Sequence, residues 1–313
     1  MKRARHDGRA AFLRRPAGLF GLLGLALACH RAAPASRFPS PRDAIDAMRE
    51  GVACSRGLTG EGTFDYFGDE GRVRAKSLYV VARPSRLRFD VVNPLGGILS
   101  TLTSDGQAFA FSDLRERQFL TGPADECNLE QALKVPVPPE ALGELLTGQA
   151  PILVHRPEQA RLEWESGAYV LRIDSEHSAA EEVHFVPRDE DWERPWHEQR
   201  LRVLEVRVSQ QGLVLYEVRL DEHRPASTAA PRVDPDGIDA DVPPSGPTCN
   251  AEVPRRVRFV VPGAGRDIVF IQGDVHHNPP LVPGLFQQLA APGMQHRRSS
   301  CDGSADEAPS SSL

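Results

Sequence analysis

Arg83 to Phe111 reads RPSRLRFDVVNPLGGILSTLTSDGQAFAF. Leu87, Phe89 and Val91 fall on one side of an extended chain, with Arg86, Arg88 and Asp90 on the other. That period of two marks a strand with one dry and one wet face. Asn93-Pro94-Leu95-Gly96-Gly97 ends it, because Pro94 has no N–H to give a ladder and the glycines permit positive φ. A second strand follows from Leu99 to Leu102, then a Ser104-Asp105-Gly106 turn and a third strand from Gln107 to Phe111. Leu95 is therefore placed at a turn tip. A leucine there needs either a loop folded over it or an apolar partner from outside.

Outward from this stretch the same period recurs. Leu58, Gly60, Gly62, Phe64 and Tyr66 alternate up to Gly68-Asp69-Glu70-Gly71, a hairpin turn, and Val73, Ala75, Ser77, Tyr79 and Val81 alternate on the way back. Downstream, strands are expected at 160–165, 169–174, 182–186, 201–208 and 213–220, with a last hairpin around Pro262-Gly263-Ala264-Gly265. Helical spacing appears at Asp43 to Arg49, with Ile45 and Met48 on one face, weakly at Asn128 to Lys134, and at Pro138 to Gly148. The last has prolines at its start, a glycine past its end and Leu142, Leu145 and Leu146 on one side. The chain therefore reads as mainly β: a strongly curved antiparallel sheet of about eleven strands forming an open, incomplete barrel, with helices covering its concave side. The domain is expected over residues 42–296. Within it, 224–250, rich in Pro, Asp, Ser and Ala, reads as a disordered insertion, and 297–313 as a polar disordered tail.

The first 28 residues hold six basic side chains and one acidic, so the remainder is more acidic than the net charge of −6 suggests. An acidic body argues against a nucleic-acid partner. The basic stretch to Arg15 and the apolar run Pro16 to Ala28 form a secretory signal too short to span a bilayer. Leu25-Ala26-Leu27-Ala28-Cys29 resembles a bacterial lipobox, though Ala26 stands where leucine is usual; the alternative is ordinary cleavage near Ala28. Lipidation at Cys29 would attach three acyl chains, more than stable anchoring needs. His30, in place of a retention aspartate, implies sorting to the outer membrane, and residues 29–41 read as a lipidated tether. Cys54, Cys127, Cys249 and Cys301 remain for disulfides in an oxidising compartment, with three possible pairings.

Catalytic and metal signatures are missing from the sequence. It has no GxSxG, HExxH or Gly-rich phosphate loop, and no cofactor or enzymatic activity is expected. His276-His277 beside Asp274 reads as a solvated strand end rather than a metal site, and Trp192 and Trp196 as packed rim aromatics. Phe64, Tyr66, Val73, Tyr79, Val81, Leu87, Phe89 and Val91 on the sheet, with Leu142, Leu145 and Leu146 on the helix, mark the face on which a cavity would lie.

Four ordered elements, GEGTFDYF, RLRFDVVNPLG, the Leu99–Leu102 strand with its TSDG turn, and VPVPPEALGELLTGQAP, resemble the LolB outer-membrane lipoprotein receptors of the LolA/LolB-like superfamily. They cover about a third of the chain; Pro254 to Phe259 and the Asn278, Phe286, Pro292-Gly293 ending match the superfamily more loosely. The resemblance implies a monomer on the periplasmic side of the outer membrane. It would accept acylated lipoproteins from a LolA-like carrier, hold their chains in a hydrophobic cavity and pass them to outer-membrane lipid. It also implies that Pro94, Leu95 and Gly96 form a membrane-inserting loop. The long insertion, the cysteines and the tail depart from LolB and leave room for two other roles: a lipid or glycolipid carrier in another export pathway, or a non-transporting structural lipoprotein.

Overall fold

The computed structural model describes residues 31–299 except 70 and 239. The signal region, Cys29, Cys301 and the rest of the tail lie outside the described residues. A first helix, α1 (Pro41–Glu50), leads into β1 (Gly57–Gly68), β2 (Gly71–Ala82), β3 (Arg86–Val92), β4 (Ile98–Ser104), β5 (Ala108–Asp113) and β6 (Gln118–Pro123). Two helices, α2 (Glu126–Leu133) and α3 (Pro139–Leu146), interrupt the strands. There follow β7 (Ala160–Glu165), β8 (Ala168–Asp174), β9 (Ala179–Pro187), β10 (Leu201–Gln210) and β11 (Leu213–Asp221). The short β12 (Arg224–Pro225), β13 (Ser227–Thr228) and β14 (Glu252–Val253) precede β15 (Arg256–Val261), β16 (Arg266–His277) and β17 (Gln295–Arg298).

One sheet runs β17-β6-β5-β4-β3-β2-β1-β16-β15-β11-β10-β9-β8-β7, with β13 beside β16. β17 and β7 are its two free edges, so the barrel is open, and every pairing along the path except β17 with β6 is antiparallel. Alternate residues of each strand face the concave side, where Leu58, Leu87, Leu171, Val183, Val218 and Phe259 are buried together with Ile45 of α1, Leu129 of α2 and Leu145 of α3. β1 can take this curvature because it has glycine where a side chain would collide: a Cβ on Gly62 would lie 2.6 Å from the Phe270 ring. The convex face is wet. Arg172 bridges Glu163, Glu165 and Glu182, and Arg207 and Arg219 share Glu205 and Glu217.

The structure differs from expectation in four places. Residues 31–40 are not a free tether: Phe38 is buried against Tyr169, Phe185 and Trp196, Ser36 is hydrogen-bonded to Trp196 and Gln199, and Arg31 pairs with Asp189, and these contacts act together against the loss of chain freedom. Residues 224–250 are not a loose insertion but are fastened at both ends. Ala226 and Cys249 are buried, Thr228 and Cys249 exchange hydrogen bonds, and Cys249 is disulfide-bonded to Cys54. The polar composition was a poor guide because cross-links and two small buried residues near the ends, not a run of large apolar side chains, hold the segment. The start of the expected tail is a strand, β17, whose backbone covers the β6 edge. His277 is buried rather than solvated, its ring bonded to Ser55 Oγ and the Ala251 carbonyl, while His276 faces Ser227.

Candidate functional site

The Asn93–Gly97 turn is built to hold its tip outward. Asn93 Oδ1 accepts from the backbone N–H of Leu95 and of Gly97 at 2.9 and 3.0 Å, and Gly96 sits at φ 85°. The Gly96 N–H also donates to the Asn93 carbonyl. With these groups satisfied locally, no covering loop is needed, and Leu95 is 96% exposed.

Val91, just before that turn, lines an apolar cavity of about 80 Å³ between the sheet and α2–α3. Phe64, Phe89, Phe259 and Phe270 form the sheet wall, and Leu133, Leu142 and Leu146 the helical one. One polar atom enters it: Ser77 Oγ is buried without a hydrogen-bond partner. The remaining sequence candidates are placed differently. Tyr66, Tyr79, Val81, Leu87 and Leu145 are buried in solid core, and Val73, opposite Tyr66 near the β1–β2 turn, is exposed. Val73 misses the interior because the β1–β2 hairpin reaches past β3, whose last residue, Val92, pairs with Lys76.

The cavity is smaller than the roughly 150 Å³ that admits a benzene ring. An acyl chain therefore enters only if a helix moves. α3 is tied down: Tyr79 Oη donates to Gln272 Oε1, and Gln272 Nε2 donates to the carbonyls of Leu146 (3.1 Å) and Pro254 (2.6 Å). α2 is held by an ion pair of Glu130 with Arg266, by the disulfide-bonded Cys127, by the buried Leu129, and by Asn128, which donates to the Pro123 carbonyl and accepts from Ser299 Oγ. Gln272 was missed by the sequence reading, although its phase with Ile268 and Phe270 on β16 points it inward.

A second buried polar group lies on the same face. Glu181 of β9, in phase with Val183 and Phe185, is 2% exposed; its Oε2 accepts from the Leu153 N–H and its Oε1 has no partner. Burial pushes its carboxyl up to about 8. Glu144 of α3 is also shifted up by burial, against the opposing pull of Arg83. Trp192 and Trp196 are packed, the first edge-on to Trp164 at 5.7 Å and the second on Phe38 at 5.7 Å. Among the described residues no cluster of metal-ligating side chains occurs.

No family model and no curated protein matches the chain. Solved structures do. A LolA superfamily protein from Nitrosomonas europaea is similar at 10% identity and a TM-score of 0.48, over 80% of this chain and 98% of that one. An outer membrane lipoprotein-sorting protein domain from Vibrio parahaemolyticus is similar at 9% identity and 0.45, over 79% and 97%. A DUF1329 family protein from Desulfovibrio piger is similar at 8% identity and 0.43, over 80% and 98%. These likenesses are distant, and the choice of ligand and partner rests on the residues of this chain.

Proposed function

We propose that this chain is an outer-membrane lipoprotein, anchored at Cys29 and facing the periplasm, that acts without catalysis as a receptor and insertase. It accepts acylated lipoproteins from a LolA-like carrier, shelters their chains between α2 and the sheet, and passes them to the bilayer beside Leu95. The observation that carries this reading is a fully exposed leucine on a turn locked by Asn93, a turn that starts two residues after Val91 of the apolar cavity wall. At about 0.8 kcal/mol per buried CH₂, acyl chains cannot cross water unescorted, so direct transfer between apolar surfaces is the economical route. Because the cavity is small, acceptance requires the helical wall of α2 and α3 to part from the sheet wall of Phe64 and Phe259.

Leu95→Glu puts a charge at the tip and leaves the core untouched. The expected result is a normally folded protein that still binds an acylated lipoprotein but no longer transfers it to vesicles. Undiminished transfer removes Leu95 from the mechanism. The near-solid interior favours a second reading, a scaffold lipoprotein that carries nothing. Failure of the wild-type chain to bind a sixteen-carbon fluorescent fatty acid, at concentrations where lipoprotein carriers bind it, would select that reading.

A further inference from the structure

Strand pairing sorts the turns of the open barrel onto two rims. The β1–β2, β3–β4, β5–β6, β10–β11 and β15–β16 turns share one rim, as the pairs Gly68 with Gly71, Phe67 with Asp267, Val261 with Arg266 and Gln210 with Leu213 require. The β7–β8 turn and the β9–β10 connection lie on the other, set there by the pairs Glu165 with Ala168 and Leu201 with Pro187. Large exposed apolar side chains recur along the first rim, where Phe67, Val73, Leu95, Ile98, Leu114 and Leu213 flank its turns; Val154, Val233, Ile238 and Leu289 are exposed on other segments. Arg115 and Arg117 stand beside Leu114 on the β5–β6 turn with Glu116 between them, and Arg74 flanks Val73 along with Arg72, which is paired to Asp65. Such a mixture of apolar tips and guanidinium groups suits an anionic bilayer surface.

The chain enters the structure on the opposite rim. The Arg31 guanidinium lies 3.3 Å over the Trp192 ring and 2.6 Å from Asp189, and a Cβ on Gly167 of the β7–β8 turn would meet the Arg31 backbone at 3.5 Å. Ser36 Oγ accepts from the Trp196 N–H, Gln199 Nε2 donates to the Ser36 carbonyl, and Phe38 is wedged among three aromatic rings. Cys29 precedes Arg31 by two residues, a reach of about 7 Å. The strands joining the rims run 6 to 12 residues, or about 20 to 40 Å. From β3 to β8 the path crosses eight strand spacings, on the order of 40 Å around the sheet. The apolar rim and the anchor point thus lie at opposite ends of the strands and eight strands apart along the sheet, so a domain resting on that rim holds its anchor point a strand's length from the bilayer.

We propose, building on the anchored reading above, that the first rim is a bilayer-docking face and that residues 31–40 are a releasable strap that keeps it off the membrane holding Cys29. Released as far as α1, residues 29–40 extend about 40 Å, enough to let the rim turn onto the bilayer. Docked, the strap presents the rim to the periplasm, where a carrier arrives. Release is inexpensive at the Arg31 end, where the ion pair is exposed, and costs more at Phe38.

The test uses the lipidated chain in vesicles of phosphatidylethanolamine and phosphatidylglycerol, with Leu95→Trp as reporter and brominated lipid as quencher. The Leu95 parent supplies the background of the native tryptophans. Three anchored forms are compared: the strap intact, Arg31→Ala with Ser36→Ala, and a flexible Gly/Ser linker of about 20 residues inserted after His30, which adds about 25 Å of r.m.s. reach. The linker leaves every strap contact in place, so it is informative even if a strap substitution disturbs folding. A chain beginning at His30, free to orient, is the reference. Quenching at residue 95 is expected to be at least twofold weaker in the anchored intact form than in the reference, and to return to the reference level in both altered forms. Equal quenching in the intact and lengthened forms, with the reference also quenched, overturns the strap and leaves the membrane reading standing. Recovery with the linker but not with the strap substitutions overturns release as the limiting step. Absence of quenching even in the reference removes the docking face and the proposed function together.

Discussion

Glu181 and Leu95 show how differently single residues on one sheet can be read. Leu95 was legible because proline, glycine and asparagine fix a turn locally, and a turn that satisfies its own backbone leaves its tip outside. Glu181 was not picked out, although alternation alone puts it inward with Val183 and Phe185, because acidic residues on strands are ordinarily assigned to the wet face. Its burial has a measurable consequence. Between its ordinary value of 4.5 and the raised value of about 8, the folded chain keeps the proton that the unfolded chain has lost. Stability therefore falls as pH rises across that window, by at most about 1.4 kcal/mol per pH unit, and levels off above it. Glu181→Gln is neutral at every pH and should remove this component. Urea midpoints at pH 5 and pH 8 check it: the wild type should lose stability relative to the variant at the higher pH, and parallel behaviour would show that Glu181 is solvated.

The strands were legible as elements because a half-buried sheet writes its period into the sequence, whereas the helices were legible in type but not in role. α3 has the leucine face of a lid, yet its C-terminal carbonyl at Leu146 is held by Gln272 of β16, more than a hundred residues away, a bond that no local pattern reports. α2 has a weaker apolar face and reads as a minor turn, yet Asn128 and Leu129 are fully buried, Cys127 is disulfide-bonded and Glu130 pairs with Arg266. Of its fastenings, the Glu130–Arg266 pair is the one that a single conservative substitution removes. Glu130→Gln removes a half-exposed pair that contributes about 0.5 to 1 kcal/mol, so amide hydrogen exchange in α2 should quicken about two- to fivefold while α3 keeps its wild-type rates. Equal acceleration of both helices would mean that they open as one unit. The segments misread from composition, 31–40 and 224–250, share a cause: their partners are distant, and low hydrophobicity describes only what a segment can bury by itself.

At the scale of the whole chain, the Cys54–Cys249 bond does what the open barrel cannot do by shape. A closed barrel has no free edges, but this sheet ends at β7 and β17, and long segments on its outside depend on other fastenings. The bond joins the connection between α1 and β1 to the end of the 224–250 segment, across 195 residues, and is packed with Val52 and Ala251. Closing so long a loop restricts the unfolded chain and is expected to contribute about 3 to 5 kcal/mol. The double variant Cys54→Ser, Cys249→Ser isolates this contribution without adding a reductant, and its unfolding midpoint in urea should fall by that free energy divided by the m-value. The loss should also be uneven. Cys249 precedes β14, so amides of 226–229 and 249–253 should exchange freely in the variant while β3, β4 and the Leu95 turn stay protected, since none of them touches the bond. An unchanged midpoint would show that the Thr228 hydrogen bonds and the burial of Ala226 hold the segment unaided. The bond would then serve to direct folding in an oxidising compartment rather than to stabilise the folded chain.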